Sequence, residues 1–202
     1  MRIKYNAPTV LSFTLLCAIV LFLNETAFKN LIDNWFMVSG KGYFNVKSLR
    51  NWFTIFSHVI GHGDWSHLIS NFTLILLIGP MLEESYGSIK LLIMMFITAI
   101  VTGALNALFF SSSLLGASGI VFMMILLSSF TNFSKGEIPI TFILVLVLYL
   151  GVQFFNSFSQ DNISQFAHIV GGLCGSFFGF QHPSGGKRSL SSQAEVQKRS
   201  NL

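Results

Sequence analysis

The chain has 202 residues, 52% of them hydrophobic and only 10% charged, with a mean hydropathy of +0.65. Soluble domains carry about 25% charged residues, so a water-soluble globular domain is excluded and a bilayer protein is expected. The net charge of +4 does not point to nucleic acid, because Lys and Arg sit at the termini and in loops rather than in a basic stripe interleaved with exposed aromatics.

Six apolar segments of near-spanning length follow in chain order. The first, residues 7–23, comes after Arg2 and Lys4. A secretory signal has that shape, but Asn24-Glu25-Thr26-Ala27 offers no small-x-small cleavage pattern, so a retained span is expected. The others are residues 67–82, 89–110, 118–130, 138–155 and 166–180. The second, fourth and sixth are short for a hydrocarbon core of about 30 Å, which predicts helices starting below the surface under a water-accessible hollow. An even number of spans puts both termini on one side, and both are basic: Arg2 and Lys4 in front, Lys187, Arg188, Lys198 and Arg199 behind. By the positive-inside rule that side is the cytoplasm. The outside loops 111–117 and 156–165 hold no Lys or Arg; the long outside loop 24–66 carries Lys29, Lys41, Lys47 and Arg50 against the trend. Residues 1–180 form one membrane domain in this reading, and the Ser-rich, basic residues 181–202 a disordered cytoplasmic tail.

The threading brings four polar residues to one shallow level below the outer face: Ser118 opening the fourth span, His168 near the start of the sixth, and His67 and Asn71 opening the second. Ser118, between Gly116 and Gly119, fits two roles. Small residues let membrane helices approach closely, while a hydroxyl at a helix N-terminus sits beside unpaired N–H groups that stabilise an oxyanion. An imidazole inside a span is costly and faces a partner in the bundle interior, so His168 is either a satisfied buried base or a catalytic one. Ala167, Gly171, Gly175 and Gly179 recur every four residues and line one helix face with small groups. That face would bring His168 within reach of Ser118, with Phe122, one turn past the serine, packing on the imidazole. His67 and Asn71 share a face, suited to interhelical hydrogen bonds or to an oxyanion, and Asp64 is placed as N-cap of their helix.

Other polar groups are given plainer roles. His58 and His62 have the i, i+4 spacing of a zinc helix, but the glutamate of His-Glu-x-x-His is absent and Gly61 and Gly63 interrupt the helix, so no metal is expected. Nor is a cofactor. Cys17 and Cys174 lie in apolar runs as small hydrophobes. Glu83 and Glu84 are expected as solvated interfacial charges, with Glu83 able to bond backbone at the turn through Gly87.

Three motifs in register resemble the rhomboid intramembrane serine proteases. Gly116-Ala117-Ser118-Gly119 is similar to the family's Gly-x-Ser-Gly, Ala167-His168-Ile169-Val170-Gly171 to its Ala-His-x-x-Gly, and His62-Gly63-Asp64-Trp65-Ser66-His67 with Asn71 to its oxyanion segment. The resemblance implies an all-α, six-helix membrane bundle with Ser118 as nucleophile and His168 as general base. His67, Asn71 and the Ser118 backbone N–H would hold the oxyanion, and Phe122, Gly116, Gly119, Gly171 and Glu83 would support the site. It implies single-pass transmembrane substrates cleaved near the outer leaflet, and a first loop lying on the membrane through Trp35, Phe36, Tyr43, Phe44, Trp52 and Phe53. The chain departs from the family's Trp-Arg pair, having Phe53 and Thr54 there. It also carries bulky Met123 and Leu126 where the family commonly has small residues, which works against tight packing of the fourth helix on the sixth. A non-catalytic relative that binds and escorts membrane helices is the alternative. A small transporter fits less well, with no mid-membrane charges or internal repeat. A bacterial inner membrane is the expected location.

Overall fold

The computed structural model describes residues 5–131, 140, 143, 144, 147, 148 and 162–181. Seven helices are bounded within them: α1 (Pro8–Thr26), α2 (Leu31–Trp35), α3 (Leu49–Ser57), α4 (Trp65–Tyr86), α5 (Ser88–Phe109), α6 (Ser118–Ser128) and α7 (Asn162–Gln181). Helices α1, α4 and α5 are long and apolar enough to cross a membrane, and α7 has 20 residues. The expected fifth span lies mostly outside the described residues; those described there, Ile140, Ile143, Leu144, Val147 and Leu148, are helical and exposed. The expected tail also lies outside them, apart from Gln181.

Two of the three short spans are corrected. Helix α4 runs 22 residues, about 33 Å, because it begins at Trp65 and continues through Glu83 and Glu84. A helix satisfies its own backbone whatever its side chains, so the polar residues at its ends do not stop it. Helix α7 likewise begins in polar sequence. Only α6, at 11 residues, is short, about 16 Å.

Helix α6 is the centre of the bundle. Gly119, Ile120, Val121, Met123, Met124, Leu126 and Leu127 are all buried, and a helix apolar all round belongs in a core. It packs on α4, α5 and α7. Val10 of α1, Ile75 and Leu82 of α4, and Leu91, Met94 and Met95 of α5 complete the cluster around it. Exposed Leu15, Ile19, Leu77, Leu92, Ile93 and Phe177 give the bundle an apolar outer surface, as lipid contact requires.

The contact between α6 and α7 is made backbone to backbone. A Cβ at Gly171 would overlap the Gly119 carbonyl, and one at Gly175 would overlap the Met123 carbonyl. Met123 therefore turns its main chain to α7 and its side chain, fully buried, into the core. The expectation that Met123 and Leu126 work against tight packing of the two helices is overturned: apart from Gly119, the small residues of the close approach are on α7.

The expectation of a solvated Glu83 is also corrected. Its side chain is buried, and its carboxylate accepts the backbone N–H groups of Thr9 at 2.9 Å and Val10 at 3.0 Å. Helix α1 has no side-chain cap of its own at Ala7, so Glu83 of α4 satisfies its first-turn donors and sits at the positive end of its dipole. Thr9 Oγ1 also donates to the Ser88 carbonyl, 3.1 Å, fastening α1 to the corner between α4 and α5. Gly87 makes that corner at φ +86, a value suited to glycine. Glu84 is exposed, as expected.

Two stability outcomes follow. Glu83→Ala, which leaves a buried and a part-buried donor unpaired, is expected to cost about 1–3 kcal/mol, read as a lower thermal unfolding midpoint in micelles, with Glu84→Ala costing less. Gly171→Ala is expected to cost about 1–3 kcal/mol by overpacking, on the order of 5 °C. Gly63→Ala, whose Cβ meets nothing within 4 Å, serves as its control.

Candidate active site

The loop entering α6 is held from three directions. Val38 and Leu114 exchange both backbone hydrogen bonds at 3.0 Å, Lys41 N–H donates to the Phe110 carbonyl, and Gly116 N–H donates to the His58 carbonyl at 2.9 Å. The first loop thus fixes the approach to Ser118, which is the first residue of α6. Ala117 before it is fully buried and supplies no side-chain cap. The opening N–H groups of the helix therefore have no intrahelical acceptor, and they carry the positive end of its dipole.

Gly116 has φ +110, and a Cβ there would lie 2.7 Å from His67 Cε1, 2.8 Å from His67 Nε2 and 3.9 Å from Asn71 Nδ2. Conformation and space both demand glycine. The same numbers place the His67 imidazole and the Asn71 amide against the turn two residues before Ser118. His67 is set there by Asp64, whose carboxylate accepts the His67 N–H at 2.7 Å as N-cap of α4. Asn71 is buried, and its Nδ2 has no hydrogen-bond partner among the described residues. Native interiors pair nearly all such donors.

On the other side of Ser118, Gly119 lies against α7: a Cβ on it would sit 3.4 Å from the Ala167 carbonyl and 3.2 Å from Thr102 Cγ2. The turn carrying Ser118 is packed on the turn carrying His168, and both residues are half-buried. The His168 ring stacks on Phe122, centroids 4.2 Å apart and planes tilted by 34°, the contact expected from their positions. Gly171, one turn beyond His168, makes the backbone contact with Gly119. Glu83, expected among the supporting residues, acts at the N-terminus of α1 instead.

His58 and His62 each bond a main-chain carbonyl. The His58 ring donates from Nδ1 to the Ile55 carbonyl at 2.9 Å and sets Nε2 3.4 Å from Thr102 Oγ1. His62 donates from Nδ1 to the Ile60 carbonyl at 3.1 Å, and its ring packs edge-on against His67, 5.1 Å between centroids. Both rings are buried, and loss of solvation pushes each pKa down to about 4. Among the described residues no group of three His, Cys, Asp or Glu side chains is arranged to hold a metal ion.

Three contributors escaped the sequence reading. The His58 main-chain carbonyl leaves no trace in a residue pattern. Val38 and Leu114 pair between loops far apart in the chain. Thr98, Thr102 and Asn106 are buried polar residues one turn apart on α5, and their recurrence every four residues in an apolar span was a signal present in the sequence.

The Rhomboid domain family model matches residues 49–182. The chain is 24% identical to "Rhomboid protease GlpG" of Haemophilus influenzae over 183 residues, 89% of this chain and 93% of that one. It is 30% identical to "RHOMBOID-like protein 4" of Arabidopsis thaliana over 127 residues, 59% of this chain and 31% of the relative. "Rhomboid-like protein 11, chloroplastic" of the same plant is 24% identical over 162 residues, 72% of this chain and 58% of the relative. The chain therefore spans nearly the whole bacterial relative but only about a third and just over half of the two plant ones.

The two depressed histidines give a pH dependence with a definite sign. Both stay neutral in the fold down to about pH 4, whereas in the unfolded chain they take up protons below about 6.5. Stability is then full above pH 6.5 and falls as the pH drops from 6.5 to 4, by at most about 1.4 kcal/mol per pH unit for each histidine. Thermal midpoints in micelles over that range should show the slope, and His58→Asn should lessen it.

Proposed function

The chain belongs to the rhomboid family, and from that membership we propose that it is a six-span intramembrane serine endopeptidase acting on transmembrane segments of other membrane proteins. Ser118 Oγ attacks the scissile carbonyl while His168 takes its proton. The tetrahedral oxyanion is held by the Ser118 backbone N–H, the His67 imidazole and the Asn71 amide. As it collapses, the peptide C–N bond breaks, His168 gives the proton to the leaving amine, and an acyl-enzyme ester remains on Ser118. Water, deprotonated by His168, hydrolyses that ester and restores the serine.

The observation that carries this reading is the Asn71 amide: buried, without a hydrogen-bond partner among the described residues, and set with His67 beside the Gly116 turn. A donor kept without an acceptor is costly to fold and becomes useful only when an oxygen develops charge beside it. Phe122 fixes the plane of the His168 ring, and the Gly119–Gly171 contact supports the reach between the two helices. A substrate helix must unwind locally to present a carbonyl, so Gly or Pro near its end on the Ser118 side favours cleavage. In this reading both termini are cytoplasmic, the site opens to the outer face, and the membrane is a bacterial inner membrane.

The test is hydrolysis of a labelled transmembrane substrate by the reconstituted chain. Ser118→Ala and His168→Ala are each expected to lower the rate at least about 10³-fold, and Asn71→Ala about 10²-fold. A fluorophosphonate is expected to label the wild type and not Ser118→Ala. Equal product from the wild type and both dyad variants overturns the protease reading in favour of a helix-binding, non-catalytic relative.

A further inference from the structure

The first loop contradicts the charge rule that orients the rest of the chain. From Phe36 to Gly63 it holds Lys41, Lys47 and Arg50 and no acidic residue. All three cations are exposed, and Arg50 donates to a neutral amide, Asn34 Oδ1 at 3.1 Å. The same stretch exposes large apolar groups: Tyr43, Val46, Leu49 and Trp52, with Leu49 87% exposed. A surface both cationic and greasy suits the boundary between headgroups and acyl chains.

Between this loop and the end of α5 is a cavity of about 190 Å³, walled by Phe44, Val46, Trp52 and Ile55 on the loop side and by Ala104 and Ala107 on α5. The two alanines, three apart on one helix face, make the hollow by omission of bulk. Its walls offer no unused polar group from Trp52, whose indole N–H already donates to the Val46 carbonyl at 2.9 Å. The Phe44 and Trp52 rings meet edge to face, 5.6 Å apart, and stiffen that wall. The cations lie on the segments that form the rim: Lys47 follows Val46, Arg50 precedes Trp52 by two residues, and the Lys41 backbone is bonded to Phe110, just past Leu108 of the lining.

We propose that this pocket binds one acyl chain of an anionic phospholipid from the leaflet on the Ser118 side, with the lipid phosphate held by Lys41, Lys47 and Arg50. The apolar walls exclude a hydrophilic anion from the hollow, and the cations on the flanking segments disfavour a cationic ligand. A lipid with a negative headgroup satisfies both at once, and each cation near a membrane surface favours it by about five-fold. Three of the four charges that break the positive-inside pattern are then a binding site, not a topology signal.

Trp52 reports on the site directly. The full chain carrying Trp35→Phe and Trp65→Phe, which leaves Trp52 as its only tryptophan, is reconstituted in phosphatidylcholine vesicles. Brominated-chain phosphatidylglycerol or brominated-chain phosphatidylcholine is then titrated in. The expected result is saturable quenching at a much lower mole fraction of the glycerol lipid, weakened about five-fold by each of Lys41→Gln and Lys47→Gln. Ala107→Phe, which fills the hollow from the α5 side, should remove the saturable phase while the headgroup variants keep wild-type thermal midpoints. Equal quenching by both headgroups, or an anionic preference that survives the double lysine variant, overturns the proposal. Displacement of the quencher by inorganic phosphate alone also overturns it, by showing an anion site without acyl recognition. Saturable quenching abolished by a second copy of the chain at high protein density shows instead that the face is a self-association surface.

Discussion

Between Gly119 and Gly171 two helix backbones touch with no side chain interposed, and the rest of the bundle is arranged around that contact. Inside a bilayer, lipid tails are as apolar as leucine, so burial alone does not draw helices together and close packing must supply the attraction. The glycine row on α7 gives it along nearly the length of α6, from Gly119 through Met123 to the Phe130 ring. Beyond Gly119, α6 makes this contact without small residues of its own, and its side chains fill the core toward α1, α4 and α5. One face of one helix thus does two things: it holds the central helix, and it brings the turn of His168 against the turn of Ser118.

A second constraint is the supply of partners for backbone polar groups, which a membrane does not provide. Helix α1 begins without a cap and borrows the Glu83 carboxylate from α4. The chain before Ser118 is not helical, and its hydrogen bonds are completed by Val38, Lys41 and His58 of the first loop. These bonds determine where α6 starts and how it points. A donor left over is then informative: Asn71 Nδ2 has no partner among the described residues, and it stands beside the turn that leads into Ser118.

Most of the element order was legible because spans announce themselves by length and hydropathy, and α1, α4 and α5 begin and end within a few residues of the apolar runs. The same signal failed at polar helix ends, where Trp65 and Glu84 are helical although hydropathy stops short of both. Asp64 as cap, Phe122 on His168 and the convergence of His67 with Asn71 were readable from spacing, since each depends on contacts one helical turn apart or on level placement of span ends. Met123 was misread for a geometric reason: its size matters only if its side chain faces α7, and a residue type does not say which way a side chain turns.

By itself, then, the sequence determined that the chain is a membrane helix bundle, which runs are helical, and which few polar residues would be gathered at one end, because these follow from hydropathy, periodicity and chain connectivity. Only the tertiary structure decided what each polar group does. It put Glu83 on the first turn of another helix, gave His58 a main-chain role in holding Gly116, and set the α6 backbone directly on the glycines of α7. Hydrogen bonds and steric contacts act over about 3 Å, between groups tens of residues apart in the chain, and no local pattern encodes which of them will meet.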